Sequence, residues 1–482
     1  MSVTNIRTRR RNIFINKNFL LLWIGGTISR MGQVLLLEGF GLWIVFDLVK
    51  NPASATNAVK VSEMAAFLGL LTFGVFAGVF VDRWANKRKV LVITSACRAG
   101  GSLVALVAAV LLLLIPTPAP WLTALALGSI YLSILLVNTF THFAIPASYC
   151  IFVDCVEPED HAYANGLLLT ATFASILVGT VLALQLFATF GIISILVLCA
   201  AMYLTSFIAS SNLKVEIHTQ TIQRKGFIKQ WWESIVFCLK KPALTLLLVA
   251  LTLINIWNGF LTMLANPFIS QNLHQVIHQA PIYDSNNTFY GPLGVAIEAA
   301  FIVGALFFGL VSRRLGEKRL LSYALFAEGL LMIVVSRFSQ YTPAVVVIFV
   351  ISVLSTAINV VAVPIYLQVT PWHFLGRIRS IVDVTTNVVA LIAGGVCLGL
   401  LGTSFAAFHA EIAGITFTFV DTALALAGFL CVVGGVVLIR YFNFGSTGRS
   451  QATGSVSGAS SSDNLEADLV ETREPSASGK FK

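Results

Sequence analysis

Gly78-Val79-Phe80-Val81-Asp82-Arg83-Trp84-Ala85-Asn86-Lys87-Arg88-Lys89 closes one apolar run and opens the next. An aspartate at the C-terminal end of an apolar helix is badly placed, because the helix macrodipole is negative there. Asp82 therefore needs stabilisation from outside its own helix: the N-terminus of a neighbouring helix, or cations such as Arg83 and Arg88. Gly78, one turn earlier, has no side chain and lets a second helix approach closely. Anchoring to lipid headgroups would account for the lysines and arginines of this stretch, but not for Gly78 or Asp82. A clasp that forms only when two bodies are together accounts for all of them, and such contacts are a known switching device.

The pattern returns about half a chain later, in Gly309-Leu310-Val311-Ser312-Arg313-Arg314-Leu315-Gly316-Glu317-Lys318-Arg319. The glycine (Gly78, Gly309), an arginine (Arg83, Arg314) and a Lys-Arg pair (Lys87-Arg88, Lys318-Arg319) fall at the same spacing. Internal repeats of this kind build many transporter folds.

The surroundings of both copies are lipid-like. Of 482 residues, 57% are hydrophobic and 11% charged, with a mean hydropathy of +0.86. A soluble domain carries about 25% charged residues, so this chain lacks the polar side chains to face water over its surface. With about 20 apolar residues needed to cross the hydrocarbon core, the runs lie at 19–46, 61–81, 90–114, 121–143, 162–187 and 190–210, then at 243–266, 291–311, 320–337, 343–367, 378–402 and 412–440. The expected fold is all-α and integral to the membrane: twelve transmembrane helices in two pseudo-symmetric six-helix bundles. The expected organisation is an N-terminal segment (1–18), a first bundle (19–210), a polar linker (211–242), a second bundle (243–442) and a disordered tail (443–482). The run 19–46 is too long for a signal peptide and is read as a retained first helix. Within the linker, Phe227-Ile228-Lys229-Gln230-Trp231-Trp232-Glu233 has the pattern of an amphipathic surface helix.

Charge placement sets an orientation. With both termini in the cytoplasm, the basic clusters at 7–17, 83–89, 214–241, 313–319, 377–379 and 440–482 all fall on the cytoplasmic side. Of 31 lysines and arginines, only Lys50, Lys60 and Arg337 then lie outside, and Arg30 and Arg98 fall within helices. Basic residues gather on the untranslocated side. That placement explains the net charge of +9 without a nucleic-acid partner. The seven cysteines (Cys97, Cys150, Cys155, Cys199, Cys238, Cys397, Cys431) lie mostly inside apolar runs, without a CxxC pair, and read as small core residues.

The stretch Gly78–Lys89 resembles the G-x-x-x-D-R-x-x-x-[RK]-[RK] signature of the major facilitator superfamily, between helices two and three. Pro146 through Val156-Glu157-Pro158-Glu159-Asp160 and Ala164-Asn165, Pro364 through Pro371 with Gly376-Arg377-Ile378, and the opening Asn16-Lys17-Asn18-Phe19-Leu20-Leu21-Leu22-Trp23 are similar to the subfamily of enterobactin exporters and macrolide-efflux proteins. The resemblance implies a plasma-membrane, multi-pass secondary transporter that works by alternating access. It further implies proton-coupled efflux, as in multidrug antiporters, with no cofactor beyond a proton gradient. The partners expected are a small amphipathic molecule and the bilayer, and the chain is expected to act as a monomer. Drug antiporters of that superfamily carry a Gly-Pro pair in helix five. Here Ile176-Leu177-Val178-Gly179-Thr180-Val181 has no proline, so a straight helix is expected.

Charges at bilayer depth cost about 2.5–3.5 kcal/mol even on the lenient insertion scale, and each demands a partner or water. This chain sinks Arg30, Glu38, Arg98, Glu298, Glu328 and Asp383 there. Arg30 and Glu38 are about 12 Å apart along the axis and about 80° around it, so each needs a partner on another helix. Glu38 and Asp383 are the proton-coupling candidates, with Arg30 and Arg98 as the cations beside them. In the resembling fold helices one, four, seven and ten line the central cavity. The cavity candidates are accordingly Tyr131, Asn138 and His142 on helix four, Asn255 and Asn258 on helix seven, and Asn359 on helix ten, with Asn387 on helix eleven. His274 and His278 share an external loop with the sequon Asn286-Asn287-Thr288, and read as a solvated pair rather than a metal site. No GxxxxGK[ST] loop is present, which argues against an ATP-driven pump, and no nucleophile-base or metal motif suggests an enzyme. An uptake permease on the same fold, or a non-transporting sensor or scaffold that kept it, are the alternatives.

Overall fold

The computed structural model describes residues 16–115, 120–214, 226–268, 292–371, 374–396, 409–412 and 415–454. The elements are α1 (Lys17–Trp43, continued by a π-helical turn Ile44–Leu48), α2 (Pro52–Gly69), a second π turn (Leu70–Gly74), α3 (Val75–Arg83), α4 (Lys87–Leu114), α5 (Pro120–Cys155), α6 (His161–Ser211) and α7 (Phe227–Lys240). They continue with α8 (Pro242–Pro267), α9 (Pro292–Leu315), α10 (Glu317–Val335), α11 (Tyr341–Val369), α12 (Leu375–Val396), β1 (His409–Ile412), β2 (Ile415–Thr418) and α13 (Phe419–Gly454). Among the described residues, eight helices are long and apolar enough to cross a membrane, and nine if the pair bent by 49° at α2–α3 is one span. α6 contains a break at Gly191, whose φ of 70° lies in the left-handed region that glycine enters without penalty. Before that break α6 is continuous from His161, as the missing proline leads one to expect.

The ends of these helices are fixed by side chains that the sequence made conspicuous. Asn16 caps α1, its Oδ1 accepting from the amides of Asn18 and Phe19, while its Nδ2 donates to the Cys155 carbonyl at the end of α5 (2.6 Å). Asn18 exchanges two hydrogen bonds with the Lys214 backbone just past α6. Asn86 caps α4. Gly316, with φ at 79°, makes the tight α9–α10 turn.

Polarity is arranged as a lipid solvent requires. Leu113, Leu114, Trp121 and Phe190 are exposed, whereas Ser29, Arg98, Ser102, Asn165 and Glu328 are buried. α1 packs on α6, α4 on α5 and α6, and α2 on α5. Among the later helices α10 packs on α11 and α13, α9 on α11, and α8 on α12 and α13. The α10–α13 contact is a backbone contact: a Cβ on Gly329 would lie 2.6 Å from the Gly428 carbonyl oxygen and 2.6 Å from the Val432 nitrogen. Gly329→Val should therefore cost about 1–3 kcal/mol of overpacking and lower the melting temperature in detergent. An unchanged melting curve would show that α10 and α13 part without penalty.

Three expectations are corrected. The run at 412–440 is not one helix: β1 and β2 pair antiparallel, His409 opposite Thr418, so the chain is not helical throughout. The Ile-Thr-Phe-Thr sequence of β2 favours a strand, and α13 starts at Phe419 because Thr418 and Asp421 form a reciprocal cap, each accepting from the other's amide. α12 begins at Leu375 rather than 378, which moves Arg377 and Arg379 from a loop into its first turns. The backbone of α13 runs to Gly454, past Asn443, where the tail was expected to start; the sequence from Phe444 to Gly454 has no proline to interrupt helical hydrogen bonding. The basic cluster at 7–11, residues 215–225, His274, His278, the sequon, Cys397 and residues 455–482 lie outside the described residues.

Candidate functional site

Arg83, Lys89, Arg314, Lys318 and Arg319 are all exposed at one end of the molecule, called the basic end here. There α3 meets the N-terminus of α12. The Asp82 carboxylate accepts from the amides of Gly376 (3.1 Å) and Arg377 (3.2 Å), and Arg377 Nε lies 3.2 Å from its Oδ2. Asp82 and Arg377 are each 6% exposed. The anion that is misplaced on its own helix dipole is thus placed correctly on another's. Gly78 makes this contact possible: a Cβ there would overlap the Gly376 carbonyl and the Arg377 Cα.

The cations of the first motif bind elsewhere. Lys87, buried, donates to the carbonyls of Val81 (2.7 Å), Asp82 (3.2 Å) and Trp84 (2.8 Å), closing the C-terminus of α3 as a lysine should. Arg88 donates to the Ser211 carbonyl at the end of α6. Arg83 donates to Gln230 of α7 (3.1 Å) and its guanidinium covers the Phe227 ring (4.9 Å). Of the two sources of stabilisation expected for Asp82, the helix N-terminus is in place, and the cations beside it are Lys87 and, in an ion pair, Arg377 of that same helix. In the second copy, Gly309 touches Gly166 of α6: a Cβ on Gly166 would come 2.9 Å from the Gly309 Cα. Arg314 and Arg319 are exposed, Lys318 lies over the Phe442 ring (5.6 Å), and the Arg313 side chain lies outside the described residues.

One layer further in, Pro364 interrupts α11 and cannot donate to the Val360 carbonyl four residues before it. Asn165 of α6 supplies the missing donor, its Nδ2 bonding the carbonyls of Val360 (2.9 Å) and Asn359 (3.1 Å). The Tyr149 hydroxyl donates to Asn165 Oδ1 (3.3 Å), and the Arg379 guanidinium covers the Tyr149 ring (4.3 Å). Asn165→Leu should leave the Val360 carbonyl without a donor, at about 1–3 kcal/mol. A melting temperature equal to wild type would show that this carbonyl is satisfied otherwise.

Deeper still, His142 Nδ1 of α5 meets Asp383 Oδ2 of α12 at 2.9 Å, both largely buried. Around this pair stand Arg379 and Arg30, both electrostatic partners of Asp383. Arg30 also faces Glu298 of α9 and donates to Gln33 (2.9 Å), which in turn donates to Asn138 (3.1 Å). Arg30 Nε and Glu298 Oε2 are buried with no hydrogen bond. The structure therefore gathers Arg30, Asn138, His142 and Asp383, all expected, and adds Glu298, Arg379 and Gln33.

Asn387 also reaches this cluster; the remaining expected residues make the contacts that follow. Arg98 is buried between α1, α4 and α6, bonded to Ser29 (2.6 Å) and the Thr94 carbonyl (3.2 Å), with the Tyr203 ring 5.5 Å away. Its place beside a coupling carboxylate is thus corrected: a hydroxyl, a carbonyl and a ring face satisfy it instead. Glu38 is half-buried two turns beyond Arg30 and has a partner of its own. Tyr131 donates to the Ala58 carbonyl (3.3 Å). Asn255 and Asn359 donate to carbonyls of their own helices, Leu251 (2.7 Å) and Ser355 (3.1 Å). Asn258 is half-buried and partnered. Asn387, exposed, donates to the Asp383 carbonyl (2.7 Å) and to its carboxylate Oδ1 (3.4 Å), which joins it to the cluster. Glu328 is fully buried in α10, away from these groups in sequence and bonded to none of them. Among the described residues no three His, Cys, Asp or Glu side chains gather as a metal site.

A family model described as Major Facilitator Superfamily matches residues 22–370. No curated protein matches the chain. Among solved structures, a bacterial homologue of the iron transporter ferroportin in an outward-facing state with soaked iron is 16% identical, with a TM-score of 0.62 over 88% of this chain and 98% of that one. FucP, described as a major facilitator transporter in the outward conformation, is 12% identical, with a TM-score of 0.63 over 87% and 98%. The human organic anion transporter MFSD10 (TETRAN) is 12% identical, with a TM-score of 0.60 over 88% and 99%. At these identities the likeness is one of fold.

Proposed function

The chain belongs to the Major Facilitator Superfamily, whose members are transporters, and on that footing we propose that it is a proton-coupled exporter of a small amphipathic molecule. In this reading α1 to α6 and α8 to α13 form two pseudo-symmetric six-helix bundles. Counting α2–α3 as one crossing and α6 as two at Gly191 gives twelve crossings. The basic end faces the cytoplasm with both termini, and the chain acts alone in the plasma membrane. The bundles rock about a central space, and in this conformation the cytoplasmic side is closed.

One observation supports the coupling above all others: the His142–Asp383 pair ties α5 to α12 across the two bundles. A charge-assisted bond is about twice as strong as a neutral one. A proton delivered to the Asp383 carboxylate removes that charge and loosens the tie, and Arg30 is then free to turn fully to Glu298. Proton binding on one side and release on the other would thus alternate with parting and rejoining of α5 and α12. Glu38, nearer the opposite end of α1, is the second candidate carrier.

The substrate class is a drug-, macrolide- or siderophore-like solute. The test is reconstitution in proteoliposomes with an imposed proton gradient and a panel of such compounds. Solute movement that accelerates with the gradient, and that alkalinises or acidifies the lumen in step, is the expected result. Movement indifferent to the gradient would remove proton coupling, and no movement of any compound would remove the substrate class.

A further inference from the structure

We infer that the outward face of α7 docks on anionic phospholipid of the membrane the chain spans, and that lipid seated there holds the basic end closed. The second half of this inference rests on the transporter reading above.

α7 turns apolar side chains outward as well as inward. Gln230, Ser234 and Cys238, one per turn, are buried against the protein, whereas Ile228, Trp232 and Leu239 are 73%, 60% and 64% exposed. A helix lying in water shows its polar side outward. This one shows an apolar side instead, and does so where a span leaves the bilayer, because Pro242 opens α8 directly after Lys240 and Lys241. Tryptophan favours that depth, and an apolar face at that depth meets acyl chains. Lys229, Lys240 and Lys241 are exposed beside it, which matches the negative surface of anionic lipid. A soluble partner protein could cover the same apolar residues, but the lysines and the adjoining span exit favour lipid.

The protein-facing side of α7 touches both parties to the Asp82 clasp. Towards α3, Phe227 lies 5.4 Å from the Phe76 ring and under the Arg83 guanidinium, Trp231 lies 6.1 Å from Phe76, and Gln230 accepts from Arg83. Towards α12, Phe237 stacks on Phe374 at 5.0 Å and 13°, one residue before the helix begins. When α3 and α12 separate, α7 has to release one of them. An apolar face seated among acyl chains and lysines seated among headgroups resist that displacement, so the lipid acts on the gate through α7.

Hydrogen exchange of the full chain in nanodiscs tests this directly, because the Gly376 and Arg377 amides are protected by Asp82 only while the end is closed. Phosphatidylglycerol added to phosphatidylcholine should slow exchange across 374–380 about tenfold in the wild type, a size that a few lysines at an anionic surface supply. Trp232→Gln/Leu239→Gln should exchange alike in both lipids. Lys229→Gln/Lys240→Gln/Lys241→Gln, altered only at exposed side chains, should do the same. Equal exchange of the wild type in the two lipids, or a full lipid response kept by the Trp232/Leu239 variant, overturns the inference and leaves a protein as the occupant to seek. Exchange is read with no solute present, so a negative result here and a negative transport assay are separate failures.

Discussion

Gly78→Leu should give a chain that inserts and folds but cannot close its basic end. The added Cβ alone overlaps backbone atoms of Gly376 and Arg377, which cannot rotate away as a side chain could. α3 and α12 must then separate, and the Asp82 carboxylate loses its two amide donors and Arg377 together. Hydrogen bonds to charged groups contribute about 1.5–3 kcal/mol each. Losing two or three shifts a two-state equilibrium by at least about a hundredfold. Transport should fall by that factor, and amides across 374–380 should exchange as if unprotected. Asp82→Asn keeps the shape and one accepting oxygen, so it should lie between Gly78→Leu and wild type. If Gly78→Leu transports normally with 374–380 protected, the clasp does not govern closure. Because Lys87 holds the end of α3 through carbonyls, its replacement should instead loosen α3 itself.

Asp383→Asn is expected to abolish gradient-driven transport, by at least about a hundredfold, while sparing downhill exchange of solute. The amide can still bond His142 but cannot carry a proton across, so the energy source is disconnected from a moving part that still moves. That split separates coupling from simple breakage, because a misfolded variant loses both activities. His142→Gln should slow gradient-driven transport less, since Arg379 and Arg30 still face Asp383. The measurement is solute flux with and without a proton gradient, alongside lumenal pH. Gradient-driven flux retained by Asp383→Asn would move the coupling role elsewhere, with Glu38 and Glu298 next in line.

The sequence carried the clasp further than the cluster. Gly78 and Asp82 are wrong for their own helix, and that local misfit pointed to a partner helix without naming α12. Asn165 stood in a quoted motif, yet its task depends on Pro364, which lies in another helix almost two hundred residues on. Glu298, Arg379 and Gln33 joined the site only through helix rotation and register, which apolar runs do not encode. Arg379 was harder still, since it counts as a loop cation until α12 is known to start at Leu375. Arg98 shows the opposite error: a buried arginine suggests a carboxylate, but Ser29, the Thr94 carbonyl and the Tyr203 ring satisfy it. The strand Ile415–Thr418 was hidden because it runs without a break in the sequence into the apolar residues of α13.

Asn165 and Pro364 have a consequence for the opposite state of the cycle. The Val360 carbonyl has no donor within α11, and the donor it uses belongs to α6. If α6 withdraws, as the proposed alternating access requires, that oxygen is left without a hydrogen-bond donor at a depth where hydrocarbon offers none. Solvent must therefore flood the cleft as far as Val360 when it opens. A single proline inside α11 thus rules out a dry opening, and the width of the vestibule at the basic end is set by how far water has to reach.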